Sequence, residues 1–251
     1  QRLHHIHQLG MAFLVYPGAT HSRFEHSLGV MELATRIFHR LCKEPRPDVF
    51  HFIPRKDSAE HLYWRKILRM AALCHDLGHM PFSHACEKEF LGEGGHEAMT
   101  LKIIESAYLK DVWSKLQEKP ALKTSGHRDI VTDVLKVTLG EESFYRLKPE
   151  LKNTPFSPWE KIVAEIITGD FFGADRIDYL LRDARSTGIV YGLFDYYQLI
   201  ETLRILPFGR GDKLALGIDE GGIESCEALL LARHFMHKRV YQHPTVKVYN
   251  F

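Results

Sequence analysis

Apolar residues along the chain recur mainly at spacings of three and four, the pattern of helices that bury one face. An alternating pattern typical of a strand occurs at residues 213–218, between two glycine-containing turns. The pattern therefore predicts an all-α fold with a minor short β-hairpin near residues 205–220. The helical spacing is clearest at residues 20–41, 67–75, 159–169, 170–183 and 224–242.

Other segments carry weaker patterns. Residues 44–60 are rich in proline and charge, which predicts a connecting loop, and the glycines of residues 92–95 predict a break between helices. Residues 1–9 show short helical spacing, and the weak periodicity of residues 110–158 predicts two or three short helices there. We predict one domain, residues 1–251. The chain begins at Gln1 inside a patterned stretch, so we expect it to be a fragment whose N-terminal segment is missing.

Composition narrows the class of protein. A chain of 251 residues that is 45% hydrophobic can bury a substantial core. Its 33 lysines and arginines nearly balance 32 aspartates and glutamates, so no overall field favours nucleic acid or an anionic membrane. No apolar run is long enough to span a bilayer and no signal-peptide pattern opens the chain, which predicts a cytoplasmic location. The four cysteines lack Cys-x-x-Cys spacing, so we expect reduced core thiols.

An adjacent histidine and aspartate, His75 and Asp76, end the apolar run that begins near residue 67. Imidazole and carboxylate are ligands of divalent first-row metals, and one backbone turn would fix their relative positions. His79 and His84 follow, so groups able to move protons crowd the end of this helix. The alternative is a polar pair that caps an ordinary core helix.

A second histidine, His26, shares an apolar stripe with Val30, Leu33 and Ile37. The stripe predicts that this imidazole faces inward, where it needs a partner. The partner is either a metal or, if His26 is an ordinary core histidine, a backbone carbonyl or a buried carboxylate.

The helix at residues 170–183 gathers the carboxylates of Asp175, Asp178 and Asp183 on one broad face. These charges repel each other unless something positive lies among them. A cation at Asp175 would meet that need, and so would ion pairs with nearby arginines.

The last predicted helix carries an arginine, a histidine and a tyrosine at successive spacings of four. Such a row would suit a phosphorylated ligand with an aromatic ring, or it would line an exposed amphipathic face. Its members are Arg233, His237 and Tyr241.

The order of these residues, His26, then His75-Asp76, then Asp175, resembles the H…HD…D pattern of the HD-domain phosphohydrolases. More narrowly, the chain resembles the deoxynucleoside triphosphate triphosphohydrolases related to the vertebrate sterile-alpha-motif and HD-domain protein. The similarity covers almost the whole chain. It rests on Gln8-Leu-Gly10, Pro17-Gly-Ala-Thr-His-Ser-Arg-Phe-Glu-His-Ser-Leu-Gly29, Leu73-Cys-His-Asp-Leu-Gly-His79, Pro81-Phe-Ser-His84, Asp175-Arg-Ile-Asp-Tyr179 and Tyr241-Gln-His243.

The resemblance implies an all-helical HD fold with one divalent metal and a histidine beside the α-phosphate. Glu87 stands near that histidine, where the vertebrate relative has an aspartate. The implied metal ligands are His26, His75, Asp76 and Asp175, and the implied catalytic group is His84 or His96, steadied by Glu87.

The resemblance also implies a binding site for a deoxynucleoside triphosphate. Gln8 and Asp183 match contacts to the sugar 3′-hydroxyl, while Leu9 and Tyr179 match the residues that crowd the 2′ position. The base would lie against His237, Tyr241 and Gln242. The positions that grip the triphosphate are Arg23, His79, Arg176, Tyr179 and Arg233.

The function that the resemblance implies is hydrolysis of deoxynucleoside triphosphates to a deoxynucleoside and inorganic triphosphate. The alternatives are an HD phosphodiesterase or nucleotidase that acts on a monophosphate, a cyclic nucleotide or an alarmone, and a non-catalytic nucleotide sensor. The ligand types suit Fe, Mn, Zn, Ni or Co, and suit Mg less well. Relatives assemble as dimers or tetramers, so we expect a homodimer or homotetramer, with an activating nucleotide among the partners that the resemblance allows.

Overall fold

Helices dominate the computed structural model, which describes residues 1–82, 87–122, 128–209 and 213–250. The prediction of an all-α fold with a minor hairpin is confirmed. The helices are α1 (Arg23–Lys43), α2 (Ala59–Cys74), α3 (Glu87–Leu91), α4 (Gly95–Ile104), α5 (Ala107–Gln117), α6 (Ile130–Leu147), α7 (Pro158–Thr168), α8 (Ala174–Thr187), α9 (Tyr196–Thr202), α10 (Ile223–Met236) and α11 (Pro244–Asn250).

Helix α1 organises the packing, since it contacts α2 along one side and α8 along another. Its start is fixed by a capping box, in which the Ser22 hydroxyl accepts from the Glu25 amide and the Glu25 carboxylate accepts from the Ser22 amide. Val30 and Ile37 on its apolar stripe are fully buried, as the spacing predicts. Helix α6 packs against α2 and α7 on the far side of the core.

The predicted hairpin consists of two antiparallel strands, β1 (Leu203–Pro207) and β2 (Leu214–Ile218). Ile205 pairs with Leu216, and both side chains are buried. Strand β2 lies against α7, so the hairpin closes one edge of the helical core. None of the helices in the described part of the chain combines the length and the apolar character that a bilayer span requires.

Helix α6 departs from the expectation of short helices in residues 110–158, because it runs for 18 residues. Residues 133–139 are all buried, so this part of the helix has no solvent-facing side and its sequence lacks the apolar stripe of an amphipathic helix. Gly140, with φ of 71°, kinks it in a conformation that suits glycine. Two of its buried residues are charged, and their partners come from other elements.

Both ends of the chain also differ from the predicted pattern. The helix predicted for residues 224–242 is α10 followed by a π-helical turn (His237–Tyr241), so Arg233, His237 and Tyr241 do not lie on successive turns of one α-helix. Residues 1–9 form a short 3₁₀ turn (Arg2–His5) and then an extended stretch in which His7 pairs with Ser22. Pairing with distant residues decides both conformations, and local spacing does not contain that information.

The buried ammonium of Lys136 on α6 is paired with α7. Lys136 lies 3.3 Å from Glu160, and their side chains are only 5% and 6% exposed. Glu160 also accepts from Arg128 at 3.1 Å and from the Ser157 amide at 2.8 Å, where it caps α7. The pair therefore joins two core helices where water cannot replace a lost partner.

Substituting Glu160→Ala should lower the free energy of unfolding by about 3 kcal/mol, because it leaves the Lys136 ammonium buried without its main counter-charge. Urea denaturation measures this loss. The matched control is Glu141→Ala, since Glu141 pairs with Lys161 at 2.8 Å but both side chains are more than 40% exposed. We expect the control to cost no more than about 1 kcal/mol, and equal losses in the two variants would contradict the prediction.

Candidate metal centre and substrate cleft

Three predicted metal ligands meet at one point. His26 lies in the second turn of α1, His75 directly follows α2, and Asp175 begins α8. His26 Nε2 is 3.0 Å from Asp175 Oδ1 and 3.3 Å from His75 Nε2, and His75 Nε2 is 3.6 Å from Asp175 Oδ1. All three ligand atoms lie within 4.8 Å of one another, which is the arrangement that a single metal ion requires.

Asp76, the fourth predicted ligand, adjoins this cluster. Its Oδ1 is 3.4 Å from His75 Nε2, and its Oδ2 is 3.6 Å from His26 Nε2. The same Oδ2 accepts from Arg23 Nη1 at 2.5 Å. Asp76 therefore faces the common point of the two imidazoles while an arginine balances its charge.

The two imidazoles are oriented by partners on their other nitrogen. His26 Nδ1 is 2.8 Å from Asp178 Oδ2, and His75 Nδ1 is 2.7 Å from the carbonyl oxygen of Ala72. A carbonyl oxygen can only accept, so Nδ1 of His75 donates and the Nε2 lone pair is left for a metal. Asp178 directs His26 in the same way.

Asp178 is the residue that sequence reasoning grouped with the acidic face without assigning it a role. It accepts two hydrogen bonds from Arg182, at 2.8 and 2.9 Å, so its own position is fixed. Gly29 on α1 makes this contact possible, because a Cβ at that position would collide with the Asp178 and Arg182 side chains. The sequence did contain one indication of this role: Asp178 follows Asp175 by three residues, which places both carboxylates on the same face of the helix.

The charges around the cluster favour a cation. Burial lowers the pKa of His26, yet hydrogen bonds to Asp175 and Asp178 outweigh burial and raise that pKa to about 10. Burial also opposes the shift at His75, but the charge of Asp76 raises the pKa of that imidazole. The carboxylates around the two imidazoles thus stabilise positive charge at the centre of the cluster. A divalent metal ion would supply that charge, and imidazole nitrogen and carboxylate oxygen are ligand types that such ions bind.

The cluster is open on one side. The side chain of Asp175 is 38% exposed, whereas that of His26 is completely buried. A ligand can therefore approach from the side of α8, and the remaining ligands are held in the core. Catalytic metal sites differ from structural ones by such an open position.

A histidine and glutamate pair lies beside the cluster. His96 Nδ1 is 2.5 Å from Glu87 Oε1, and the imidazole of His96 stacks on that of His79 with ring centres 4.0 Å apart. His79 Nε2 is in turn 3.4 Å from Asp76 Oδ1, which connects the pair to the predicted metal ligands. His84, the other predicted catalytic histidine, lies outside the described residues.

The first turn of α4 places His96 there. The amide of Gly78 donates to Thr100 Oγ1 at 2.9 Å, and a Cβ at Gly78 would collide with Thr100. The absence of a side chain at Gly78 thus lets α4 approach the turn that follows α2.

Three residues of α8, Asp175, Tyr179 and Asp183, follow one another by about one turn each, and we call the surface along them the candidate cleft. Tyr179 contacts Tyr241 edge to face, with ring centres 5.9 Å apart. Asp183 lies a further turn on, where it is 2.7 Å from His21 Nε2 and accepts from the Tyr241 hydroxyl at 2.8 Å. His21 was part of a quoted motif but had no predicted role, and the structure shows that it fixes Asp183.

Arginines lie beside the candidate cleft. Burial raises the pKa of Tyr179, and the nearby charges of Arg176 and Arg233 oppose that rise. The Nε and Nη1 atoms of Arg176 are buried and have no hydrogen-bond partner among the described residues. A buried guanidinium with unused donors is suited to bind an anion. His237 contacts Tyr241 with ring centres 5.1 Å apart.

The remaining predicted substrate residues come from both ends of the chain. Gln8 follows the stretch that pairs with Ser22, and its Oε1 is buried without a partner among the described residues. Leu9 is partly buried against the main core and a small second core of Ala12, Ala19 and Val246. Gln242 is exposed after the π-helical turn, and its amide donates to the His237 carbonyl at 2.8 Å.

Comparison with known families identifies this arrangement. Residues 23–165 match the HD domain, and residues 194–251 match the HD associated region. The chain belongs to the HD-domain family. HD domains bind divalent metals and include phosphohydrolases, and the His26, His75 and Asp175 cluster of this HD domain is compatible with a metal.

The relatives of this HD domain include both uncharacterized proteins and dNTPases. An uncharacterized protein of Methanocaldococcus jannaschii is 34% identical over 99% of this chain and 41% of its own length. The deoxynucleoside triphosphate triphosphohydrolase SAMHD1 of Gallus gallus is 32% identical over 97% of this chain and 38% of its own length.

A solved structure also resembles this chain in both sequence and fold. A hypothetical protein from Aquifex aeolicus has 35% identity and a TM-score of 0.71, and the match covers 99% of this chain and 54% of that one. The chain thus spans about half or less of each relative.

The role of Asp178 can be tested on the metal alone. Substituting Asp178→Ala should weaken Mn²⁺ binding by about 10- to 100-fold, because His26 loses the partner that holds its ring. Titration of Mn²⁺ into metal-free protein measures the affinity. Asp111→Ala, at an exposed position of α5, is the control and should bind Mn²⁺ as the parent does. Unchanged affinity in Asp178→Ala would show that this carboxylate does not position His26.

Proposed function

We propose that this HD domain hydrolyses deoxynucleoside triphosphates to a deoxynucleoside and inorganic triphosphate. One observation carries the proposal: the candidate cleft leads along α8 from Asp175 in the metal cluster, past Tyr179 and its arginines, to Asp183 held by His21 and Tyr241. Basic groups between the metal cluster and a fixed carboxylate would suit a nucleotide whose α-phosphate lies at the metal and whose sugar lies near Asp183. The similarity to SAMHD1 dNTPases supports the same reading.

In this proposal, His26, His75, Asp76 and Asp175 hold one divalent metal. When bound, the metal would supply Lewis-acid polarisation of the α-phosphate and a more acidic water. Arg23 keeps Asp76 ionised, since its charge overcomes burial and holds the pKa of that carboxyl well below the usual range. The protein thereby keeps a charged ligand set at neutral pH.

The triphosphate would lie along the basic side of the cleft. Arg176 offers buried, unpaired N–H donors, and Arg233 adds charge beside Tyr179. His79 and Arg23 lie on the opposite side, next to Asp76. Groups on both sides would stabilise the negative charge that the triphosphate carries as it leaves.

The nucleoside would occupy the end of the cleft near Asp183. Gln8 Oε1 is an unused buried acceptor, and Asp183 is a fixed carboxylate, so both suit the sugar 3′-hydroxyl. Leu9 and Tyr179 would leave no room for a 2′-hydroxyl. A ribonucleotide would be rejected because its 2′-hydroxyl would need the space that these side chains fill. Tyr241, His237 and Gln242 would then face the base.

Water would attack the α-phosphorus while the bond to the 5′-oxygen breaks. The departing oxygen needs a proton, and His96 is the described histidine that would give it, because Glu87 fixes its Nδ1 and its ring stacks on His79 beside Asp76. His84 is the alternative donor. Glu87 is one methylene longer than the aspartate of the vertebrate relative, and its 2.5 Å contact reaches His96 nonetheless.

The test is a product profile. The protein with added Mn²⁺ is incubated with the four deoxynucleoside triphosphates, the matching ribonucleotides, a cyclic dinucleotide and a nucleoside monophosphate. We expect inorganic triphosphate and deoxynucleoside from the first group only. Release of phosphate or pyrophosphate in place of triphosphate would support the HD phosphodiesterase or nucleotidase alternative, and no turnover of any nucleotide with metal bound would support a sensor.

The native metal, a homodimeric or homotetrameric assembly, an activating nucleotide and a cytoplasmic location stay predictions. Each follows from the family resemblance or from composition. The product profile supplies the metal, and deoxynucleotides and ribonucleotides incubated together supply candidate activating nucleotides.

A further inference from the structure

The N-terminal stretch before α1 is docked against the core next to the metal cluster. Leu3 and Ile6 are buried, with exposures of 5% and 3%. The amide of Arg23 donates to the Ile6 carbonyl at 2.9 Å, so the stretch is tied to the first turn of α1. Arg2, at the start of the 3₁₀ turn (Arg2–His5), is thereby held beside the segment that follows α2.

The guanidinium of Arg2 binds the backbone of that segment. Its Nε donates to the Leu77 carbonyl at 3.2 Å, and its Nη2 donates to the His79 carbonyl at 2.6 Å. Nη2 also approaches the sulfur of Met80 at 3.6 Å. Carbonyls just beyond a helix end have no partner within the helix, and a guanidinium can bind two of them at once because its donors are rigidly forked.

This segment carries three predicted site residues, His75, Asp76 and His79. It is held on its other side by α4, through the hydrogen bond from the Gly78 amide to Thr100. Arg2 and Thr100 therefore clamp the turn between them. Within the turn, the Leu77 amide donates to the Cys74 carbonyl at 3.1 Å and the His79 amide donates to the Asp76 carbonyl at 3.2 Å.

We propose that Arg2 is a positioning residue of the metal centre, which fixes the turn of residues 75–80 so that Asp76 and His79 face the cluster. The inference rests on the metal centre proposed above and not on the identity of the nucleotide. It also connects the N-terminal stretch with the site, because Arg2 leaves its place if that stretch undocks.

The forked donors of the Arg2 guanidinium make it possible to distinguish positioning of the turn from an effect of positive charge alone. Lysine at this position would keep the positive charge but carries one nitrogen, which cannot hold both carbonyls in the observed geometry. If Arg2 acts by fixing the turn, Arg2→Lys and Arg2→Gln should have similar effects. If it acted through charge alone, lysine would restore the parent behaviour.

The experiment is a titration of Mn²⁺ into metal-free protein, together with amide hydrogen exchange of residues 77–80. For both Arg2→Lys and Arg2→Gln we expect Mn²⁺ affinity to fall by about tenfold, as when other outer supports of metal ligands are removed. Exchange of the amides in the turn should become faster in the metal-free protein. Neither readout involves a nucleotide, so both stand even where the product profile refutes dNTP hydrolysis.

The matched control is Arg204→Gln. Arg204 also donates to backbone carbonyls, those of Glu201 and Leu203, but it lies on β1 away from the cluster. We expect its Mn²⁺ affinity to equal that of the parent. Parent-like affinity in Arg2→Lys overturns the proposal, and so does a lowered Tm of the Arg2 variants without weaker Mn²⁺ binding. Should Arg2→Gln fail to fold, Arg2→Lys decides alone.

Discussion

Substituting Asp175→Asn should remove the metal and the hydrolase activity together. Asp175 is the one ligand of the cluster that is both exposed to the cleft and in contact with both imidazoles, at 3.0 and 3.6 Å. An amide has nearly the same shape but no charge, so the cation loses a strong ligand. We expect bound metal to fall from about one per chain to near zero and triphosphate release to fall by at least about 1000-fold, which corresponds to roughly 4 kcal/mol.

Elemental analysis of the purified protein and a triphosphate assay measure these two quantities on one sample. Asp111→Asn is the control, because Asp111 is exposed on α5, an element that contributes no residue to the cluster. The control should keep both metal and activity. Normal triphosphate release from Asp175→Asn would refute the proposed metal centre.

Substituting His96→Asn should separate catalysis from metal binding. The pair of His96 and Glu87 lies beside the cluster without contributing to it, so the metal should remain. A positioned general acid contributes about 100- to 10,000-fold to a rate. We therefore expect kcat to fall by at least about 100-fold with KM for the nucleotide nearly unchanged.

Steady-state kinetics at saturating Mn²⁺ give both constants. His51→Asn, on an exposed 3₁₀ turn between α1 and α2, controls for the loss of a histidine and should keep the parent kcat. A parent kcat in His96→Asn would remove this residue from the mechanism and leave His84 as the proton donor.

Much of the secondary structure could be predicted from local signals. The helix at α1 begins at a serine followed three residues later by glutamate, and α7 begins in the same way with Ser157 and Glu160. The hairpin follows from alternating residues between glycines. These predictions hold because capping and turn formation involve neighbours in sequence.

Other elements could not be predicted locally. The buried part of helix α6 packs against α2, α4 and α7, so its charged residues Asp133 and Lys136 are satisfied by side chains from elsewhere. Its sequence therefore resembles neither an amphipathic nor an apolar helix. The π-helical turn after α10 depends on a similar distant contact, since the Tyr16 hydroxyl donates to the Arg239 carbonyl at 2.5 Å.

The sequence by itself determined the residue types of the site and their order, because motif spacing and family resemblance are properties of the chain. Only the tertiary structure decided which atoms meet. His26, His75 and Asp175 converge since α1 packs closely on α8 at Gly29, and Asp178 and Arg2 gain their roles from partners 152 and 77 residues away. Asp178 and the carbonyls held by Arg2 lie inside the quoted motifs of residues 175–179 and 73–79, but the motifs did not assign them these roles, because the roles depend on the direction in which each group points.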